Sequence, residues 1–244
     1  DSTEKTAAAL PKFQAIPGVS VVQGSPDNIE VTAAGVDKGS ALLALADRIG
    51  ALREQGAEHI YLTSTDREAP LAEGQKLGPW RLSFRHEMWT MERGLGPDRP
   101  RPAGRLVLES LRREQGALWL DQYNRGFFGV PNSATYGEEE LEELLTGEPR
   151  SGLVRLDGTA VGVYELSFQE ERPEIEGIAL LPDYRGQGLG RELLLTVMER
   201  LAEAGYPACW LQVSSANGPA WGLYHWAGFR PVKMLSHWYE AVSV

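Results

Sequence analysis

The stretch LPDYRGQGLGR, Leu181–Arg191, lies between a short apolar run, IEGIAL, and a strongly apolar one, ELLLTVMERL. Beyond it, apolar residues recur at 189, 193, 194, 197, 198 and 201, one face of a helix. Gly205 then stands where a helix C-cap glycine belongs. Gly186, Gly188 and Gly190 therefore occupy a strand-to-helix turn and the first helical turn. Unpaired N–H groups and the positive end of the helix dipole point outward there, which makes an anion site. Glycine lets a phosphate reach the backbone with no Cβ in the way. Arg185 and Arg191 can add charge. Two familiar phosphate loops do not fit. A dinucleotide loop needs a further glycine where Arg191 or Leu193 stands, and a Walker loop needs a GK[ST] that is absent.

The bulk of the sequence narrows the function. Its 244 residues suit one large domain or two small ones. A net charge of −10 argues against general nucleic-acid binding and favours cationic or amine-bearing partners. No apolar run approaches the roughly 20 residues that span a membrane. Cys209 is the single cysteine, so no intrachain disulfide forms; this fits a reducing, cytoplasmic setting and a small buried hydrophobe. The histidines, His59, His86, His225 and His237, show no metal spacing, and no metal is expected. Thr135 with Glu138 reads as a capping box ahead of an acidic helix face.

The pattern of elements is mixed α/β, with an α+β mixed sheet. Asp157-Gly158 between two strand-like runs predicts a hairpin. The segment 94–103, rich in Pro and Gly, reads as a linker between residues 1–93 and 104–244. The two halves also carry an internal repeat: Leu52, Glu54, Gly56 and Leu62 recur as Leu201, Glu203, Gly205 and Leu211 at an offset of 149. The order read from both is strand, loop, helix, strand, helix, strand.

Arg185-x-x-Gly188-x-Gly190 fits the pattern [QR]-x-x-G-x-[GA]. Further on, Asn217, Ala220, Tyr224, Gly228 and Phe229 fit N-x-x-A-x-x-x-Y-x-x-x-G-F, and CWLQV supplies a strand between the two motifs. In these motifs the sequence, over about 104 to 244, resembles the GNAT superfamily, the GCN5-related N-acetyltransferases. The resemblance implies a GNAT acyl-CoA N-acyltransferase fold for the C-terminal domain. It also implies that Arg185, Gly186, Gln187, Gly188, Leu189, Gly190 and Arg191 hold the pyrophosphate of acetyl-CoA. Ile178, Ala179 and Leu180 would pair through their backbone with the pantetheine arm, and Asn217 would hydrogen-bond it or cap the next helix. The first half then reads as a partial, degenerate GNAT-like domain. Its phosphate loop around Lys38-Gly39 is about three residues short, and Arg67 stands near the place of Asn217.

Acyl transfer needs a deprotonated amine and a stabilised leaving thiolate. Tyr224 stands where the family carries the acid for the thiolate; a packing aromatic is its other reading. Glu174 and Glu176 share one strand face by alternation and are candidate bases, or two ordinary carboxylates. Tyr123, Phe127, Phe128, Asn132 and Tyr164 are candidate acceptor contacts. The function expected is transfer of an acetyl group from acetyl-CoA to an amine of a small molecule, amino acid or peptide, directly in a ternary complex. A CoA-binding module without turnover is the alternative.

Overall fold

The computed structural model describes residues 19–25, 28–33, 38–65, 71–131, 133–146, 150–168 and 172–244. The chain forms two compact units, one within 1–84 together with Trp238–Val244, the other Arg85–His237. Asn132 and Arg67 fall outside the described residues.

In the first unit, β1 (Val19–Ser25) and β2 (Asn28–Ala33) form an antiparallel hairpin. Helix α1 (Lys38–Glu54) buries Ala46 and Ile49 against Ile60, Leu62, Leu77 and Leu82. Strand β3 (Tyr61–Ser64) follows, then the two-residue β4 (Lys76–Leu77) and the start of β5 (Trp80–Gly94). The repeat predicts a second helix after β3. Among described residues 71–79 there is none: Gly74 and Gly78 take positive φ, and Gly78-Pro79 closes a tight β4–β5 hairpin instead.

The second unit is built around β6 (Leu106–Ser110), β7 (Ser151–Leu156), β8 (Thr159–Ser167), β9 (Glu174–Leu180) and β10 (Ala208–Ser214). Strand order is β6–β7–β8–β9–β10–β5, antiparallel throughout except for β9–β10. The β7–β8 hairpin turns on Asp157-Gly158, both at positive φ, with Leu156 facing Thr159. On one face, α2 (Gly116–Phe127) buries Trp119 and Tyr123 against Leu153, Val163 and Ala179. On the other, α4 (Leu189–Glu203) buries Leu193, Leu194, Val197, Met198 and Leu201, each contributing about 1.5–3 kcal/mol. Its C-terminus closes as expected, with Gly205 at φ +89 and the Tyr206 N–H donating to Leu201 O.

Helix α3 (Glu138–Thr146) corrects one expectation. It starts without the Thr135–Glu138 box: Glu140 reaches back and accepts from the Gly137 N–H at 2.8 Å. A carboxylate two residues further into the acidic run reaches the free amide. Helix α5 (Gly218–Trp226) and β11 (Arg230–Ser243) complete the elements.

The Pro/Gly-rich segment 94–103 is tied to α4. Arg99 and Arg101 both pair with Glu199, Arg99 at 2.9 Å. Buried Glu192 accepts from the N–H groups of Ala103 and Arg105 at 3.0 and 3.1 Å. Loss of two charge-assisted bonds sets the expected cost: Glu192→Ala should lower unfolding free energy by about 1–3 kcal/mol in urea denaturation, and an unchanged midpoint would contradict this role.

Candidate active site

The β9–β10 ladder is the centre of the site. It pairs only Glu174 with Trp210 and Ile175 with Leu211. Beyond that, β10 keeps its antiparallel partner β5 as far as Ser214 and Met88, while β9 keeps β8. The two strands diverge, and the edge of β9 from Glu176 to Leu180 faces a cavity of about 960 Å³. Ile178, Ala179 and Leu180 all line it. Their other edge is satisfied by Tyr164, Val163 and Gly162 of β8. An open strand edge offers N–H and C=O groups to an extended ligand.

A bulge shapes the same strand. The ladder matches Glu165 with Gly177 and Leu166 with Ile175, so Glu176 is the extra residue. Simple alternation predicts Glu174 and Glu176 on one face; the bulge interrupts that alternation, and both residues line the cavity. Glu174 is half-buried. Burial pushes its carboxyl up, opposed by a hydrogen bond from Gln212.

The glycine loop lies at the far end. Gly186 and Gly188 are left-handed at φ +74 and +76, which fixes glycine at both. Gly188 is the N-cap of α4, without a side-chain cap, so the first N–H groups of the helix stay free for a ligand. Gly190 needs no special φ, and a Cβ there would meet nothing within 4 Å. The space beside it opens on the cavity.

The side chains of this loop behave differently from the charge-based expectation. Arg185 lines the cavity, but its guanidinium donates to Leu180 O at 3.0 Å and Gly126 O at 2.6 Å, bracing the loop to β9 and α2. The Arg191 guanidinium lies 4.5 Å over the Trp226 ring. Gln187 donates to Asp183 O at 2.8 Å, and Leu189 is in the core. An anion at the α4 N-terminus would thus meet mainly backbone.

Asn217 caps α5 by accepting from the Ala220 N–H at 3.2 Å, and it lines the cavity as well. Tyr224, from the same helix, also lines it. Burial pushes its phenol up to about 12, and its hydroxyl has no hydrogen-bond partner among the described residues. Tyr123, Phe127 and Phe128 line the cavity, and Phe128 is 87% exposed. Tyr164 does not belong here. It is buried on the α4 side, where Arg200 donates to its hydroxyl at 2.9 Å.

Several site residues have no sequence motif. Met88 and Gln212 reach the cavity from β5 and β10, and Tyr136 from the loop ahead of α3. Glu165 stands behind Tyr136, whose hydroxyl is 3.4 Å from its carboxylate. Only an alternation count placing Glu165 on the apolar face of β8 would have flagged it.

The sequence profile of the acetyltransferase (GNAT) family matches residues 108–229, half of the chain. The chain belongs to the GNAT family. A mycothiol acetyltransferase from Streptomyces bingchenggensis is 30% identical over 162 residues, covering 61% of this chain and 52% of that protein. The [ribosomal protein bS18]-alanine N-acetyltransferase of Escherichia coli is 39% identical over 66 residues, 27% of this chain and 45% of that one. The chain spans about half the length of the curated relatives it matches. A GCN5-related N-acetyltransferase from Sphaerobacter thermophilus superposes with a TM-score of 0.59 at 16% identity, over 92% of this chain and 76% of that one, which supports the fold.

GNAT acetyltransferases use acetyl-CoA, and the residues present fit it. The uncapped α4 N-terminus and the open space at Gly190 suit a diphosphate, and the free β9 edge suits a chain of amides. Among the described residues no cluster could hold a metal ion. Because a Cβ at Gly190 clashes with no protein atom, Gly190→Val should leave the melting temperature within about 3 °C. It should weaken acetyl-CoA binding at least tenfold in titration calorimetry; unaltered binding would show that the ligand lies elsewhere.

Proposed function

We propose that the protein transfers the acetyl group of acetyl-CoA to an amine of a small molecule, amino acid or peptide, in one direct step within a ternary complex. The observation that carries this reading is the divergence of β9 from β10, which opens the β9 edge between the α4 N-terminus and the carboxylates of Glu174 and Glu176. Acetyl-CoA, when bound, supplies a thioester carbon open to nucleophilic attack. The N–H groups at Leu189, Gly190 and Arg191 would hold its diphosphate, and Ile178 and Leu180 its amide arm.

Glu174 and Glu176 bind the acceptor ammonium and accept its proton, directly or through water. Tyr224 stays protonated at neutral pH and donates to the leaving sulfur. Cys209 is fully buried, and burial pushes its thiol up to about 12, which disfavours an acetyl-cysteine intermediate and favours direct transfer. The relatives' names, mycothiol and the alanine of a ribosomal protein, support an amine acceptor and leave its class open.

The first half is proposed to be a degenerate copy that binds no CoA, so one acetyl-CoA should bind per chain. A net charge of −10 supports a protein that does not take nucleic acid as its partner.

Two measurements test this reading. Titration calorimetry should give micromolar acetyl-CoA binding with a stoichiometry near one. Thiol release across a panel of amino-acid amides, alanyl peptides and aminoglycosides should identify the acceptor. Tyr224→Phe should then lower kcat tenfold or more while acetyl-CoA still binds. Tight binding with no thiol release for any amine would favour a sensor or assembly role.

A further inference from the structure

The C-terminal end of α2 crosses β9 and finishes in an exposed ring. A Cβ at Gly126 would lie 2.9 Å from that of Ala179, and one at Gly177 would lie 3.0 Å from the Phe127 ring. Phe127 therefore packs on β9 one residue beyond Glu176. Its ring continues a run of aromatics: it is 4.5 Å from Tyr123, whose ring is 4.1 Å from Tyr136. All three line the cavity.

Phe128 follows, and the chain holds it outward. Its φ of −56 and ψ of 123, with Gly129 at φ +74 and the Val130 N–H donating to Phe127 O at 3.0 Å, make a type II turn. The Ser133 hydroxyl, 2.9 Å from Phe127 O and 2.8 Å from Val130 O, bridges the same two carbonyls. Phe128 thus lines the cavity on a fixed backbone and yet stays 87% exposed. A ring displayed in this way leaves apolar area in water that a ligand can cover.

The charge of the lining is one-sided. Glu174 and Glu176 are its carboxylates, and among the described lining residues Arg185 is the only cation. That guanidinium is turned to Leu180 O and Gly126 O, beside the glycine loop. An acceptor ammonium finds carboxylates and aromatic faces, both of which attract a cation. A carboxylate on the acceptor would find like charge, with the one cation already engaged, and would lose its water at a cost.

We propose that the acceptor is an ammonium bearing an aromatic or bulky apolar group and no free carboxylate, and that Phe128 is the specificity residue that packs on this group. The assignment rests on the acetyl-transfer reading of the cavity. The ammonium sits at Glu174 and Glu176. The apolar group lies along the rings of Tyr136, Tyr123 and Phe127 and reaches Phe128. The carboxyl of the acceptor is blocked, as in an amide or peptide bond, or missing.

The test is steady-state thiol release from saturating acetyl-CoA with L-phenylalaninamide, L-alaninamide, 2-phenylethylamine and L-phenylalanine. kcat/KM for L-phenylalaninamide should exceed that for L-alaninamide about tenfold or more, through the apolar group. 2-Phenylethylamine should exceed L-phenylalanine by about the same factor, since the two differ in the carboxylate. In Phe128→Ala the ratio of the two amides should fall about fivefold or more, chiefly through KM, and Phe128→Leu should recover part of it. Gly129→Val should act like Phe128→Ala, because a Cβ at φ +74 strains the turn while meeting nothing within 4 Å. The ratio is internal to each variant, so a loss of folded protein does not move it. Equal use of the two amides, L-phenylalanine used as well as 2-phenylethylamine, or a ratio unmoved in Phe128→Ala would each overturn the assignment. Acetyl-CoA calorimetry on the same samples separates the two readings. Acetyl-CoA that binds without this preference among amines overturns the acceptor class alone; acetyl-CoA that does not bind overturns the reading beneath it.

Discussion

Among the described residues, the backbone of β9 beyond Ile175 has a strand partner on one side only, and the proposed site follows from that constraint. Strand β10 parts from β9 after two matched residues because its other edge stays committed to β5 as far as Met88. The bulge at Glu176 adds a local twist at the same point. A strand edge inside a folded unit cannot stay unsatisfied without cost. Its amides must meet water or an extended ligand, and the cavity gives room for either.

The elements around this edge are fixed by packing that has no part in chemistry. Helix α4 is held by its buried leucines, Val197 and Met198 and by the bonds of buried Glu192, so its free N-terminus needs no ligand to order it. Arg185 serves the same end by joining the loop, β9 and α2 through two carbonyl oxygens. Gly126 allows the close approach: a Cβ there would lie 2.9 Å from that of Ala179. A pre-formed site spends little of its binding free energy on rearrangement.

Much of this was legible in the sequence because it is local. The apolar face of α4, the cap at Gly205 and the Asp157-Gly158 hairpin each depend on a few neighbouring residues, and all are present. Gly186 and Gly188 carry their left-handed φ for the same local reason. Register and long-range pairing were not legible. The bulge at Glu176 exists only relative to β8, and Met88 enters the cavity through a strand pairing across more than a hundred residues. The bracing of Arg185 and the stacking of Arg191 on Trp226 escape a charge count, since both arginines find partners other than a phosphate. Tyr164 was misplaced because an aromatic on a fully buried strand gives no sign of which face it joins.

The grip at the α4 N-terminus has one more consequence. It consists mainly of peptide N–H groups, with the Arg185 guanidinium turned to carbonyl oxygens. Nothing in it gains or loses a proton between mildly acidic and mildly alkaline solution. The groups that do respond, Glu165 and Glu174, are at the opposite end of the cavity or behind it. On the acetyl-transfer reading, donor occupancy and proton handling are therefore separable, and a change in acidity acts on turnover while leaving the protein loaded.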